Sequence, residues 1–77
     1  MARLPRVTAA QVIRALQKVG FFLARQSSSH KIYRNTTGRR VTVPYHAGKI
    51  LSLKTLKSIL TDAGLTVEEF IRLLKDP

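Results

Sequence analysis

The sequence predicts an α+β fold in which helices cover one face of a three-stranded antiparallel sheet, in the order αβββαα. Apolar residues recur at helical spacing near both ends of the chain, whereas the middle consists of short strand-like segments separated by turn residues. In the last of these segments, residues 39–43, apolar and polar residues alternate, which is typical of a sheet covered on one side only. Helices from both ends of the chain are therefore expected on the same face of the sheet.

The first predicted helix spans residues 9–19. Thr8 and Gln11 have the spacing of a capping box, in which each side chain satisfies a backbone N–H at the start of a helix. Gly20 can take the left-handed conformation that ends a helix. Arg14 and Lys18 are on the polar face and are expected to project into solvent or toward a polyanion. The expected apolar face consists of Val12, Ile13, Leu16 and Val19.

Three strands are predicted after this helix. The serines at 27–29 are interpreted as the first turn, and residues 35–38 as a hairpin connection with Gly38 in the left-handed region. Alternation places Val41 and Val43 on one face of the third strand. For the second strand, Ile32 and Tyr33 are both candidates for the buried face, and the register stays open. The predicted strands are residues 21–26, 30–35 and 39–43.

Two further helices are predicted after an irregular connection. Ser52 is a plausible N-cap for the first, and Gly64 ends it. Thr66 and Glu69 form a second capping box, which starts a short last helix. The expected apolar stripes are Leu53, Leu56, Ile59 and Leu60 in the first of these helices, and Phe70, Ile71, Leu73 and Leu74 in the second.

Charge is distributed very unevenly along the chain. The net charge is +10, from fourteen Lys and Arg against four acidic residues, and all four acids follow residue 61. Such a one-signed field attracts polyanions, and nucleic acid is the expected partner. An anionic membrane is a weaker candidate, because no helix combines a basic face with a large aromatic one, and no membrane association is expected.

Length and composition narrow the class of protein. The 77 residues suffice for a single domain, residues 1–77, with one modest core. The chain has no cysteine, which excludes disulfides and thiolate zinc sites. No segment approaches the roughly 20 apolar residues of a membrane span, and the N-terminus lacks the apolar region of a signal peptide. The sequence therefore predicts a soluble, cytoplasmic protein.

Five segments follow one another along the chain: SHKIYR (29–34), GRRVTVP (38–44), HAGK (46–49), TLKSIL (55–60) and AGLT (63–66). In this order and spacing they resemble the HicA (YcfA-like) family of toxins from toxin–antitoxin systems. The resemblance covers essentially the whole chain and implies a fold like that of a double-stranded-RNA-binding domain, ribonuclease activity on mRNA, and neutralisation by a HicB-type antitoxin. The catalytic histidine of the family's Gly-Ser-His motif corresponds to His30. Ser28 and Lys54 stand where the family often has glycine.

A histidine suffices for this chemistry because RNA carries its own nucleophile, the 2′-hydroxyl. His30 is expected to be the general base, which contributes roughly 10²- to 10⁴-fold to the rate. His46 is a candidate general acid if the loop after the third strand folds back beside the second. No metal or cofactor is expected, because two histidines fall short of a metal site's usual ligand set. The residues expected to bind RNA are Ser29, Lys31, Arg34, Arg39, Arg40 and Lys49.

Other functions compete with this interpretation. A non-catalytic RNA-binding module would fit the charge and the fold equally well and would need no histidine. An interaction protein with an acidic partner overlaps with the toxin hypothesis, because an antitoxin would cover the same surface. A serine hydrolase is improbable, since no carboxylate before Asp62 could orient a Ser–His pair. Tyr33 and Tyr45 are candidates for stacking on bases or for packing against the sheet.

Overall fold

The computed structural model describes residues 3–76 and has the predicted order αβββαα. Its strands form one open antiparallel sheet in which each strand pairs with the next along the chain, so the predicted α+β fold, like that of a double-stranded-RNA-binding domain, is confirmed. The predicted domain includes residues 1, 2 and 77, which lie outside the described residues. The elements are α1 (Ala9–Lys18), β1 (Phe22–Ser27), β2 (His30–Arg34), β3 (Arg40–Pro44), α2 (Leu53–Ala63) and α3 (Val67–Lys75).

Each helix begins with the cap that the sequence predicts. The Thr8 hydroxyl accepts a hydrogen bond from the Gln11 backbone N–H, and the Gln11 side chain accepts one from the Thr8 N–H at 2.9 Å. Thr66 and Glu69 form the same capping box at the start of α3. Ser52 caps α2, which ends at a left-handed Gly64 with φ of 75°. Within residues 3–76, no helix has both the length and the apolar content needed to span a bilayer.

The core lies between the helices and one face of β2 and β3. Tyr33, Val41 and Val43 contribute that face, with Tyr33 only 3% exposed, and α1 and α2 pack on β3 while α3 packs on α1. The register left open by the sequence is thereby resolved in favour of Tyr33, because Ile32 is only half-buried. The largest fully buried side chains that the helices contribute are Val12, Leu16, Leu56 and Phe70.

Two residues of the predicted apolar stripes are exposed instead of buried. Leu53, the first residue of α2, is 43% exposed, and Val19, which follows the last residue of α1, is 39% exposed. Both lie at an end of their helix, where an apolar stripe extends past the elements that cover it. The prediction of a buried side chain is therefore wrong at these two positions.

Lys18 is exposed, as the sequence predicted, but its ammonium group contacts the end of another helix. Its ammonium group donates hydrogen bonds to the Leu73 carbonyl at 2.7 Å and to the Asp76 carbonyl. Both carbonyls belong to the C-terminal end of α3, where the helix dipole and free carbonyl groups favour a cation. Lys18 thus joins the end of α1 to the end of α3.

The strand β1 differs from the other two because all of its residues are exposed. Leu23 lies opposite Tyr33 and Arg25 lies opposite Ile32, so Ala24 is an extra residue in the ladder. This is a β-bulge, which changes the alternation of side chains along a strand. The apolar contribution of this segment to the core comes from Phe21, just before β1, which is buried.

The two hairpin turns use different backbone geometry. In the connection between β2 and β3, Gly38 has φ of 91°, as predicted, and the Asn35 side chain accepts a hydrogen bond from the Arg39 N–H at 2.8 Å. In the turn between β1 and β2, Ser28 and Ser29 do not have positive φ, since no non-glycine residue of the described chain does. Ser28 therefore occupies its position without backbone strain.

Candidate active site and nucleic-acid interface

His30 is the first residue of β2 and follows the serine turn directly. Its side chain is exposed, and its Nδ1 atom lies 3.4 Å from the Ser29 hydroxyl oxygen. If Nδ1–H donates to this oxygen, the lone pair of Nε2 stays free, and Nε2 is then the atom able to accept a proton from a substrate. The imidazole is therefore accessible and has a neighbour able to orient it.

The fold brings His46 to the same end of the sheet as His30. Pro44 pairs with His30 across β2 and β3, and His46 follows only two residues later in an exposed position. The Tyr45 N–H donates a hydrogen bond to the Ser29 carbonyl at 2.8 Å, which fixes the start of this loop beside the serine turn. Tyr45 thus stays paired with the residue before β2, and His46 follows it directly in the chain.

Paired residues of neighbouring strands share a face of the sheet, and the side away from the core is here called the open face. The bulge at Ala24 places Arg25 on the open face, because Arg25 lies opposite Ile32 rather than opposite a core residue. The open face carries three rows of residues: Ser27, His30 and Pro44; Arg25, Ile32 and Thr42; and Phe22, Arg34 and Arg40.

Lys31 is separated from His30 by the strand alternation. It pairs with Val43 and therefore lies on the helix side of the sheet, with its ammonium nitrogen 4.1 Å from the centroid of the Tyr45 ring. A cation over an aromatic face is attracted by the ring quadrupole. Lys31 and Tyr45 thus form a pair beside the His46 loop, on the other side of the sheet from the imidazole of His30.

Arg39 makes a contact with the end of α2. Its guanidinium donates a hydrogen bond to the Asp62 carbonyl at 3.2 Å, and a Cβ atom added at Gly64 would lie 2.8 Å from the Arg39 Cζ. Cations at a helix C-terminus interact favourably with its dipole. The structure therefore gives Arg39 a packing role, away from the end of the sheet where His30 lies.

The other residues expected to bind RNA lie in two separate parts of the structure. Arg34 and Arg40 lie directly opposite each other on the open face. Lys49 lies in the exposed loop with His46, whose carbonyl accepts a hydrogen bond from the Lys49 N–H at 3.1 Å. Of the six residues expected to bind RNA, Ser29 and Lys49 thus flank the histidines, and Arg34 and Arg40 lie at the far end of the open face.

The tyrosines take different positions. Tyr33 packs in the core and not on the surface, so it is unable to stack on a base. Burial raises the pKa of the Tyr33 hydroxyl, and the neighbouring Tyr45 raises it further. Tyr45 is half-buried and carries the Lys31 ammonium over its ring.

Sequence reasoning missed Phe22 and Arg25 as candidate site residues. Both lie in a segment that the sequence identifies as a strand, but the bulge that turns Arg25 to the open face has no signature in the residue pattern. No feature of the sequence marked either residue, because Phe22 belongs to the apolar run 21–24 and Arg25 is one of fourteen basic residues.

Comparisons with known proteins identify the family. A family model described as the HicA toxin of bacterial toxin–antitoxin systems matches residues 9–65, which includes His30, His46 and every residue expected to bind RNA. A comparison with curated proteins gave no match. Within residues 3–76, no group of three or more His, Cys, Asp or Glu side chains is placed to hold a metal ion.

Proposed function

The chain belongs to the HicA toxin family of bacterial toxin–antitoxin systems, and from this premise we propose that it is an endoribonuclease that cleaves mRNA in the cytoplasm. The observation that carries the proposal is the placement of His30. Its exposed imidazole stands at the end of the open face, beside the Ser29 hydroxyl, in a chain segment free of carboxylates. A general base in this position can meet an RNA backbone drawn in by the surrounding cations.

The proposed reaction needs only groups of the protein and of the RNA. Nε2 of His30 removes the proton from a 2′-hydroxyl, whose oxygen attacks the adjacent phosphorus. The bond from phosphorus to the 5′-oxygen breaks, and that oxygen takes a proton from an acid, for which His46 is the candidate. The products are a 2′,3′-cyclic phosphate and a free 5′-hydroxyl, and no metal takes part.

We assign different roles to the cations according to their position relative to His30. Arg34 and Arg40 lie about 13 Å from His30 along the strands, since each pair of residues advances about 6.7 Å. They hold the RNA backbone away from the scissile bond. Lys49 lies in the loop of His46, whose carbonyl accepts a hydrogen bond from the Lys49 N–H, so Lys49 is the cation we assign to the charge that grows on the phosphorane.

The decisive experiment incubates purified wild-type protein with mRNA in the presence of EDTA. We expect cleavage with 2′,3′-cyclic phosphate ends, and we expect His30→Ala to reduce the rate by roughly 10²-fold or more. His46→Ala is the matched variant and should slow cleavage less, while both retain the unfolding temperature of the wild type. A folded His30→Ala protein that still cleaves RNA and still arrests growth would defeat the assignment.

Family membership gives the toxin a cognate antitoxin as partner. We propose that this partner is HicB-like and covers the surface around His30. Co-expression with the product of the adjoining reading frame should relieve growth arrest, and the two proteins should purify together. If that product neither binds the chain nor restores growth, the proposed pairing is wrong.

The second candidate is a non-catalytic RNA-binding module, which the basic open face favours. In that case wild-type protein would bind RNA without cutting it, and His30→Ala would leave the affinity nearly unchanged. Affinity would still fall steeply with salt, by about 0.7 log units per log unit for each phosphate neutralised on a single strand. The EDTA incubation separates the two candidates, because only the enzyme generates cyclic phosphate ends.

A further inference from the structure

We propose that the open face binds single-stranded RNA, with Arg25, Arg34 and Arg40 on the phosphates and the Phe22 ring against a base. The inference rests on the proposed function. It adds that the substrate is single-stranded and that the RNA reaches His30 along the open face. It assigns roles to Phe22 and Arg25, which neither the sequence pattern nor the family match indicated.

The three arginines form a cluster on strands that carry no acidic residue. Arg34 and Arg40 are direct cross-strand neighbours, an arrangement that destabilises a sheet when the charges are alike. Together with Arg25, they line a depression of about 200 Å³ around the half-buried Ile32. Because all acidic residues follow position 61, no strand residue can neutralise the cluster. A phosphate from another molecule is the group that would relieve this repulsion.

The bulge in β1 completes the cluster. In a strand that alternated regularly, Arg25 would lie on the same side as Leu23, which faces the helices opposite Tyr33. The extra residue at Ala24 moves Arg25 to the open face, where both residues line the depression. Bulges occur more often than expected beside functional sites, where they redirect a side chain. Here the redirected side chain is the third cation.

Phe22 supplies the feature that distinguishes a single strand from a duplex. Its ring is 51% exposed and lies in the same row as Arg34 and Arg40. An aromatic ring among cations is the usual platform for single-stranded nucleic acid, because the ring stacks on any unpaired base. In a duplex the bases stay stacked on one another, so the ring would have no base face to contact.

The arrangement of the three rows of residues on the open face indicates the path of the RNA. The Phe22 row lies at one end of the open face and the His30 row at the other, about 13 Å apart along β2. A strand held by Phe22 and the arginines therefore runs along β2 and brings a ribose to His30. The open face would act as a guide that positions a 2′-hydroxyl for the base.

The test measures binding without turnover, so that its outcome is independent of whether His30 is the base. A fluorescent single-stranded oligonucleotide with 2′-deoxyribose sugars lacks the nucleophile, and the same oligonucleotide annealed to its complement is the duplex probe. We expect the wild type to bind the single strand at least 10-fold more tightly than the duplex. Phe22→Leu should weaken single-strand binding about 10-fold, and Phe22→Tyr should restore most of it.

The arginines are tested through the salt dependence of the affinity. Arg25→Ala, Arg34→Ala and Arg40→Ala should each reduce the slope of log affinity against log salt by about 0.7. Arg14→Ala is the matched control, because Arg14 is an exposed arginine of α1 and its loss changes the net charge equally. Circular dichroism would verify that every variant is folded.

Three results would overturn the proposal. Duplex binding as tight as single-strand binding would remove the role of Phe22. An equal loss of slope in Arg14→Ala would show that only net charge matters. If the Arg25, Arg34 and Arg40 variants lost affinity for the antitoxin but kept it for RNA, the open face would be a protein-docking surface instead. A wild type that binds as expected but fails to cleave RNA would refute the enzymatic proposal alone.

Discussion

At the scale of single residues, Ser29 is the side chain through which the imidazole of His30 would be oriented. Its hydroxyl oxygen lies 3.4 Å from Nδ1, so it can hold the tautomer that leaves Nε2 free. Ser29→Ala should lower kcat with little change in KM, and by less than the roughly 10²- to 10⁴-fold that loss of a general base costs. Single-turnover kinetics on a defined RNA would measure this.

Two matched variants accompany Ser29→Ala. Ser29→Thr keeps the hydroxyl and should restore most of the rate, whereas Ser28→Ala changes the same turn and should leave the rate unchanged. If Ser29→Ala and Ser28→Ala lowered kcat equally, the effect would come from the turn and not from the contact with His30.

A second prediction at this scale concerns Gly64 and Arg39. Gly64 has φ of 75°, and a Cβ there would lie 2.8 Å from the Arg39 Cζ. Gly64→Ala should lower the free energy of unfolding by about 1–3 kcal/mol, from backbone strain and from displacement of the guanidinium. Urea denaturation would measure this change in wild-type and Arg39→Ala backgrounds.

The Arg39→Ala background separates the two causes. Removing the guanidinium should make Gly64→Ala less costly, while the part due to the left-handed backbone remains. If the cost of Gly64→Ala were the same in both backgrounds, the close approach of Arg39 would have no energetic consequence.

At the scale of secondary-structure elements, the capping box of α3 predicts a pH dependence of stability. Hydrogen bonds from the backbone and the hydroxyl of Thr66 lower the pKa of the Glu69 carboxyl below its ordinary value of 4.5, and Arg72 contributes further. Because the folded pKa is below the unfolded one, the stabilisation is present above about pH 4.5. It is lost as the pH falls through the folded value.

Glu69→Gln is the corresponding test. Near neutral pH the variant should be less stable than the wild type, and the difference should vanish in acid below the lowered pKa. Glu68→Gln removes the same charge from the same helical turn without touching the cap, and it should cost less. Thermal unfolding of the three proteins between pH 2 and 7 would decide the matter, and a difference between the wild type and Glu69→Gln that did not shrink as the pH falls would contradict the linkage.

The elements could be predicted from the sequence because their signals are local. Capping residues such as Thr8 and Thr66, and the glycines at 38 and 64, specify ends and turns through contacts within a few residues. The choice between Ile32 and Tyr33 could not be predicted, because it depends on which face of β2 the helices cover. The bulge at Ala24 has no local signal either.

The candidate site was predicted only in part for the same reason. His30 and His46 could be selected by residue type and by resemblance, but their approach to one end of the sheet depends on the pairing of His30 with Pro44. Arg39 and Lys31 looked equivalent to Arg34 and Arg40 in the sequence. Arg39 and Lys31 lie off the open face, and only the pairing of the strands in the structure distinguishes them from Arg34 and Arg40.

At the scale of the whole molecule, two backbone hydrogen bonds hold the loop that carries His46. The Tyr45 N–H donates to the Ser29 carbonyl at one end, and the Leu51 N–H donates to the Val7 carbonyl at 2.8 Å at the other. The second bond is supported by a bridge between Thr8 and Ile50, so the segment before α1 anchors the loop. The position of His46 therefore depends on backbone contacts between segments that are distant in the sequence.

Hydrogen exchange would test this arrangement. The amides of Tyr45 and Leu51, which donate backbone hydrogen bonds, should exchange slowly, whereas the amides of the exposed Ala47 and Gly48 should exchange rapidly. Val7→Ala, which removes part of a buried side chain, should accelerate exchange at Leu51 more than at Tyr45. Equal acceleration at both amides would mean that the loop opens only when the whole domain unfolds.

The position of β1 has a consequence for handling the protein. Within residues 3–76, β1 has a neighbouring strand on one side only, and it carries the exposed apolar residues Phe22 and Leu23. Strands of this kind invite intermolecular pairing and precipitation. Arg25 interrupts the apolar run as a gatekeeper, so replacing it with an aliphatic residue would lower the solubility limit of the purified toxin. One guanidinium would thus serve both RNA recognition and colloidal stability.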